Sequence, residues 1–106
     1  MHRALERFLE CLRERRYYDA HEVLEVLWFP RRFETNDEVR LMKGLINASV
    51  SFELIRRGRA HASGLPWKNY LKYRALLERL EGDAAPMFRR VCRQVERIHA
   101  SASVMI

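Results

Sequence analysis

Glycine, proline and cysteine are scarce in this chain of 106 residues, which has four glycines, three prolines and two cysteines. With 48% hydrophobic and 32% charged residues, the composition excludes a fibrous or disordered protein and is typical of a globular chain rich in helix formers. Cys11 and Cys92 do not have the spacing of a metal-ligand pair. We therefore expect two buried thiols without a disulfide.

Long apolar runs are also lacking, since no stretch approaches the roughly 20 residues that a membrane helix needs. The best candidate, Gly44 to Ile55, is interrupted by Asn47, two serines and Glu53. The charged N-terminal residues do not form the apolar core of a signal peptide. The sequence predicts a soluble, cytoplasmic protein with no membrane partner.

Basic residues outnumber acidic ones, 20 to 14, which gives a formal net charge of +6. Seventeen of the 20 are arginines, since only three lysines occur, and they are spread along the chain in pairs such as Arg15-Arg16 and Arg56-Arg57. A positive balance attracts nucleic acid or another anionic partner. Dispersed charge that alternates with acidic residues is more typical of solvated helix faces. Nucleic-acid binding through these arginines is therefore the second alternative function.

The apolar residues recur at helical spacing and predict an all-α bundle of about five helices, mostly antiparallel because the connections are short. The first helix is expected from about Arg3 to Glu14. Asp19 is the predicted N-cap of the second, which Pro30 ends.

A long central helix is predicted at about 36–57, after a capping box that begins at Thr35 and before Gly58. Gly44 within it indicates the close approach of a neighbouring helix. The fourth helix is expected to have Pro66 in its first turn and to end near Gly82, and the fifth is expected to begin at Asp83. One domain should span residues 1–100, with a frayed tail at 101–106. Because so short a chain builds only a modest core, we expect a homo-oligomer, in the first place a dimer.

The segment "YYDAHEVLEVLW", residues 17–28, places three polar side chains in an apolar run. On a helical wheel of 100° per residue, His21, Glu22 and Glu25 share an arc of about 100°, and the remaining directions are apolar. We call these three residues the His/Glu strip.

One interpretation of the strip is a metal or acid/base site, because HExxE is similar to the metalloprotease HExxH. His21 and Glu25 would be ligands of a divalent cation, zinc or similar, with Glu22 as the general base. Two ligands are too few, and Glu53 on the long helix is the candidate for the third. The alternative is a structural strip that holds helices together by hydrogen bonds, with Glu53 in a salt bridge to Arg57 or to an arginine of a neighbouring helix.

The residues Tyr18 to Glu25, followed by Trp28, resemble the signature of a small bacterial and archaeal family, "domain of unknown function 309". That signature reads approximately Y-x-E-A-H-E-x-x-E-x-x-W. A second block, "LMKGLINASVSFELIRRG", is similar to the family at Gly44, Leu45, Ile46 and Gly58. The two blocks cover residues 17–58.

The resemblance implies an all-helical fold and a metal-dependent hydrolase built on His21, Glu22 and Glu25. The chain departs from the family pattern, which more often has glutamine at Lys43 and histidine at or beside Glu53. Four further residues are predicted to surround and support the site, and they are Tyr18, Trp28, Lys43 and Asn47.

The sequence thus leaves two main hypotheses of different classes. The first is a non-catalytic interaction module with a structural His/Glu cluster, which binds a second copy, another protein or an anionic partner. The alternative is a metal-dependent hydrolase that uses the HExxE motif.

Overall fold

Five α-helices, joined by short connections and three 3₁₀ turns, form the fold. The computed structural model describes the backbone of residues 1–105 and the side chains of residues 1–102. The helices are α1 (His2–Arg13), α2 (Tyr17–Trp28), α3 (Asp37–Arg56), α4 (Gly64–Arg74) and α5 (Ala85–Met105), and the 3₁₀ turns are Phe29–Arg31, Ala60–Ala62 and Ala75–Arg79. Within residues 1–105 there is no strand, and the predicted all-α bundle is confirmed.

The long helix α3 is central, as its mostly apolar circumference predicts. It packs against α2, α4 and α5, while α1 packs against α2 and α5. Eleven of its 20 residues are buried, and they are Val39, Leu41, Met42, Gly44, Leu45, Ile46, Ala48, Ser49, Ser51, Phe52 and Glu53. A helix that is apolar and buried on several sides forms the centre of the hydrophobic core.

The helix starts correct two predicted caps. α3 begins at Asp37, and Asn36 is its N-cap, whose side chain accepts a hydrogen bond from the Glu38 amide. Asp19 is not the N-cap of α2, because the helix already begins at Tyr17. Its carboxylate instead accepts a hydrogen bond from Arg16 Nε at 2.9 Å. The carboxylate that the sequence pattern assigns to the helix cap is therefore bound by Arg16, the residue just before the helix.

Two helices end in the same backbone motif with different residues. After α3, Gly58 lies at φ 77°, and the Arg59 amide donates to the Leu54 carbonyl. After α1, Arg15 lies at φ 60°, and the Arg16 amide donates to the Cys11 carbonyl. Both are Schellman motifs, which place their left-handed residue just after the helix and prefer glycine there. Arg15 therefore occupies a backbone conformation that a side chain disfavours.

Gly44 lies where α4 approaches α3 closely. A Cβ atom at this position would lie 2.8 Å from the Cβ of Tyr73. Real Cβ contacts are not that short, and a Cβ atom moves only with its backbone. The predicted close approach of a neighbouring helix is thus confirmed, and the neighbour is α4.

Both cysteines are buried and free, as predicted. Burial raises the pKa of the Cys11 thiol, and it raises the pKa of Cys92 to about 11. Beside Cys92, the hydroxyl of the buried Tyr70 donates to Glu96, which also accepts from Arg74 Nε at 3.2 Å. Among the side chains of residues 1–102, no buried nitrogen or oxygen lacks a hydrogen-bond partner.

None of the helices described is long and apolar enough to cross a membrane. α5 includes Ser101 and Ala102, the first residues of the predicted tail. The side chains of 103–106 lie outside the described residues, and the tail stays a prediction.

Candidate functional site: the His/Glu strip of α2

The His/Glu strip lies on the outer side of α2. Glu22 is exposed, and the His21 and Glu25 side chains are 24% and 45% exposed. His21 Nε2 contacts Glu25 Oε2 one turn along the same helix. The two groups that the sequence predicts as metal ligands are therefore paired with each other.

Tyr18 adjoins the strip, as predicted for a supporting residue. Its ring meets the His21 ring edge-on, with centroids 5.9 Å apart and an interplanar angle of 73°. A hydrogen bond with Glu22 raises the pKa of the Tyr18 phenol. Glu22, the candidate general base, thus has a phenol as its neighbour.

Glu53 is buried on α3, with 8% of its surface exposed, and its carboxylate is fully occupied by arginines. Arg56 donates to it through Nε and a terminal nitrogen at 2.7 and 3.0 Å, and Arg57 donates through Nε at 3.0 Å. The hydrogen bonds from Arg56 hold the pKa of the Glu53 carboxyl below its usual value, against the opposing effect of burial. The salt bridge to Arg57, the alternative prediction for Glu53, is confirmed.

His21 and Glu53 do share a small pocket of about 210 Å³ between α2 and α3. Arg57 and Arg59 also line this pocket, as does Ser49, whose hydroxyl donates to the Ile46 carbonyl. The fold thus brings the predicted third ligand close to the strip, but in a cationic setting that repels a metal ion.

These residues do not fit a metal centre. Within the part of the chain whose side chains are described, no three histidine, cysteine, aspartate or glutamate side chains are placed to hold a metal ion. His21 and Glu25 supply two donors, and Glu53 binds guanidinium groups instead. A site for zinc needs at least three protein ligands.

A family model described as "Domain of unknown function (DUF309)" matches residues 5–64, more than half of the chain. The chain belongs to the DUF309 family. The match runs from α1 through α3 to the first residue of α4, and so contains the whole His/Glu strip. No curated protein and no solved structure matches this chain. The family description assigns no activity.

The other predicted supporting residues of this DUF309 member make their contacts elsewhere. Lys43 Nζ lies 5.8 Å from the Trp28 ring centroid and 5.7 Å from that of Tyr73. The Asn47 amide donates to the Lys43 carbonyl, and its oxygen accepts from Asn69 on α4. The hydrogen bond from Asn47 to the Lys43 carbonyl lies within α3, whereas the contacts of Lys43 with the two rings and of Asn47 with Asn69 join α3 to α2 and α4. None of them includes a residue of the strip.

Beyond the strip, apolar side chains are exposed at Val26 on α2, which the wheel places in the apolar arc, and at two phenylalanines that follow α2. Val26 is 74% exposed, Phe29 53% and Phe33 84%. The Arg32 guanidinium lies over both phenyl rings, 3.8 Å from the Phe29 centroid and 4.5 Å from that of Phe33. We call Val26, Phe29, Arg32 and Phe33 the phenyl patch. The sequence analysis did not predict this patch. The available signal was Phe33, an aromatic residue that follows Pro30 and so falls outside the helical pattern.

Proposed function

We propose that this DUF309 member is a non-catalytic interaction module that pairs with a second copy of itself through the outer side of α2. The observation that carries the proposal is the exposure of the phenyl patch, in which Arg32 bridges the rings of Phe29 and Phe33 and Val26 precedes Phe29 by one helical turn. Contiguous exposed apolar surface on a soluble protein marks an interaction site. Aromatic residues and arginine are also the types that contribute most to binding at interfaces.

A second copy is the partner that best complements this surface. The exposed Glu22 lies one turn before Val26, and Arg32 lies at the other end of the surface. If two α2 helices pack antiparallel about a twofold axis near Val26, Arg32 of each copy meets Glu22 of the other. A twofold interface needs this self-complementarity, in which residue i contacts j and j contacts i.

The His/Glu strip has a structural part in this proposal. His21 contacts the Glu25 carboxylate on the same helix and so occupies it locally, while Tyr18 packs edge-on against the His21 ring. Glu22 then remains the acid that is free to meet a cation across the axis. The metal-dependent hydrolase, which requires Glu53 as a ligand, has weaker support because Arg56 and Arg57 bind that carboxylate.

The decisive experiment is the oligomeric state, measured by sedimentation equilibrium over a wide concentration range. We expect the wild type to dimerise and Val26→Arg, which brings two like charges to the axis, to be monomeric. Leu65→Arg is the matched control, because Leu65 is an aliphatic residue of similar exposure on α4, at 69%. That variant should dimerise like the wild type.

Charge reversal tests the geometry of the pair. Glu22→Arg and Arg32→Glu should each weaken the dimer, and the double variant should restore it, since the charges are exchanged across the axis. A wild type that stays monomeric at every concentration refutes the proposal. A dimer that Val26→Arg leaves intact refutes the α2 interface.

A further inference from the structure

A second and larger cavity, of about 640 Å³, lies between α1, α3 and α5 at the start of α2. Its rim carries four exposed arginines, namely Arg13, Arg15, Arg56 and Arg97. No aspartate or glutamate is among the described residues that line it. We call it the arginine cavity.

The floor of the arginine cavity is apolar. Leu12 and Phe52 are buried there, and Ile55 and Ile98 are half-buried. The cavity therefore offers two kinds of surface, an aliphatic and aromatic floor and a cationic rim. Its volume lies within the range of roughly 300–1,000 Å³ that is typical of small-molecule sites.

The rim charge is largely uncompensated. Arg56 is paired with Glu53, but Arg13, Arg15 and Arg97 form no ion pair with any residue from 1 to 102. The positive charge of the rim affects the pKa of the Tyr17 phenol on the cavity wall. Burial raises its pKa, and the positive charges of Arg15 and Arg56 oppose that rise.

Arg15 gives an independent sign that the rim has a role. It adopts the left-handed conformation at φ 60°, where the same motif after α3 has Gly58. Holding a residue with a side chain there costs on the order of 1 kcal/mol. Backbone strain of this kind concentrates at binding sites, where the side chain contributes more than the strain costs.

We propose that the arginine cavity binds a small amphiphilic anion, a short aliphatic chain that ends in a single carboxylate. The chain would lie on Phe52, Ile55 and Ile98, and the carboxylate would accept hydrogen bonds from the rim. Guanidinium groups bind carboxylates through paired N–H donors, so a cluster of arginines favours such a head group. None of these residues belongs to the phenyl patch, so the inference is independent of the dimer.

Octanoate is the probe, and isothermal calorimetry on the full chain measures its binding. Octan-1-ol has the tail without the charge, and acetate has the charge without the tail. Because both surfaces contribute, each should bind at least roughly tenfold more weakly than octanoate. Chemical shifts of the Gln94, Arg97 and Ile98 amides should move on titration, which places the ligand in the cavity.

Variants then test the rim. Arg13→Gln and Arg97→Gln should each weaken octanoate binding by roughly threefold, and the double variant should weaken it by about tenfold. Arg7→Gln removes the same charge from an exposed α1 position outside the cavity, and its affinity should match that of the wild type.

Arg15→Gly distinguishes the effect of the Arg15 charge on ligand binding from its effect on the stability of the fold. Glycine suits the left-handed position, so thermal unfolding should occur a few degrees higher while octanoate binds more weakly. A variant that folds better and binds worse supports a ligand role for Arg15. Equal affinity for octanoate and octan-1-ol overturns the proposal. Failure to bind octanoate overturns it as well, and binding to phosphatidylglycerol vesicles in that case would assign the rim to a membrane surface.

Discussion

The His/Glu strip and the arginine cavity differ in where their charges find partners. In the strip, His21 and Glu25 pair within a single helix, one turn apart. In the cavity, arginines from α1, α3 and α5 and from the turn before α2 converge, and no described lining residue is acidic. The strip draws attention in the sequence because its members are adjacent. The cavity is assembled only by the fold.

Glu53 lies between the two sites and shows what separates them. Its carboxylate lines the small pocket beside His21, while its partner Arg56 lines the arginine cavity. The buried acid thus fixes one rim arginine and loses its capacity to bind a metal.

The largest effect is expected at a position outside both sites. Gly44→Ala should destabilise the fold by about 1–3 kcal/mol, because the added Cβ forces α3 and α4 apart. Chemical denaturation gives the free energy of unfolding. Gly64→Ala is the control, since nothing lies within 4 Å of its Cβ position and its stability should be unchanged or slightly higher. A tolerated Gly44→Ala would contradict the close approach, and equal octanoate affinity in both variants would show that packing and binding are separable.

An intermediate effect is expected for Glu53→Gln, at about 1 kcal/mol of destabilisation at neutral pH. The folded pKa of Glu53 lies below the usual 4.5, so its contribution is complete above that pH and is lost as the pH falls through the folded pKa. Wild type and variant should therefore converge in acid, which thermal unfolding between pH 7 and pH 3 would measure.

Glu78→Gln provides the comparison for that variant, because Glu78 also pairs with an arginine but is 79% exposed. We expect little change at either pH. If the two substitutions behave alike, Glu53 is no more than a surface ion pair, and the distinction between the two sides of α3 fails.

The smallest effect is expected in the strip. His21→Ala should cost below about 0.5 kcal/mol, the usual contribution of a helical ion pair one turn apart. His2→Ala is matched to it, since His2 forms the same i,i+4 contact with Glu6 at 3.4 Å. Thermal unfolding of the wild type and both variants, each with and without a chelator, should give six nearly equal midpoints. A chelator-sensitive wild type with stoichiometric zinc would contradict the structural interpretation and restore the hydrolase hypothesis.

The helices and several of their ends follow from local patterns, and so they could be predicted. The predicted end of α4 was wrong, because the helix stops at Arg74 and tightens into the 3₁₀ turn Ala75–Arg79 instead of continuing to Gly82. Apolar spacing defines α1 to α5, and Gly58 and Gly44 have the roles that glycine suggests at a helix end and within a helix. Asp19 shows the limit of this approach, because Arg16 binds the carboxylate that the pattern assigns to the cap. A cap depends on the competition between nearby partners, which spacing does not reveal.

The sites were harder to predict, since they depend on contacts between distant parts of the chain. The wheel correctly groups His21, Glu22 and Glu25 but does not show which apolar side faces solvent. The exposure of Val26 and Phe33 depends on how α2 packs against the other helices, which the sequence pattern does not contain. The cavity arginines are indistinguishable in the sequence from the other arginines, because their common feature is position in space.

The two buried thiols make local opening of the bundle measurable as a rate of chemical labelling. Only the thiolate reacts with alkylating and disulfide reagents, and both cysteines are enclosed and have a raised pKa. Modification must therefore wait until the chain opens around each sulfur. Since Cys11 lies on α1 and Cys92 on α5, their separate labelling rates would report how often each helix leaves the bundle, and whether both leave together.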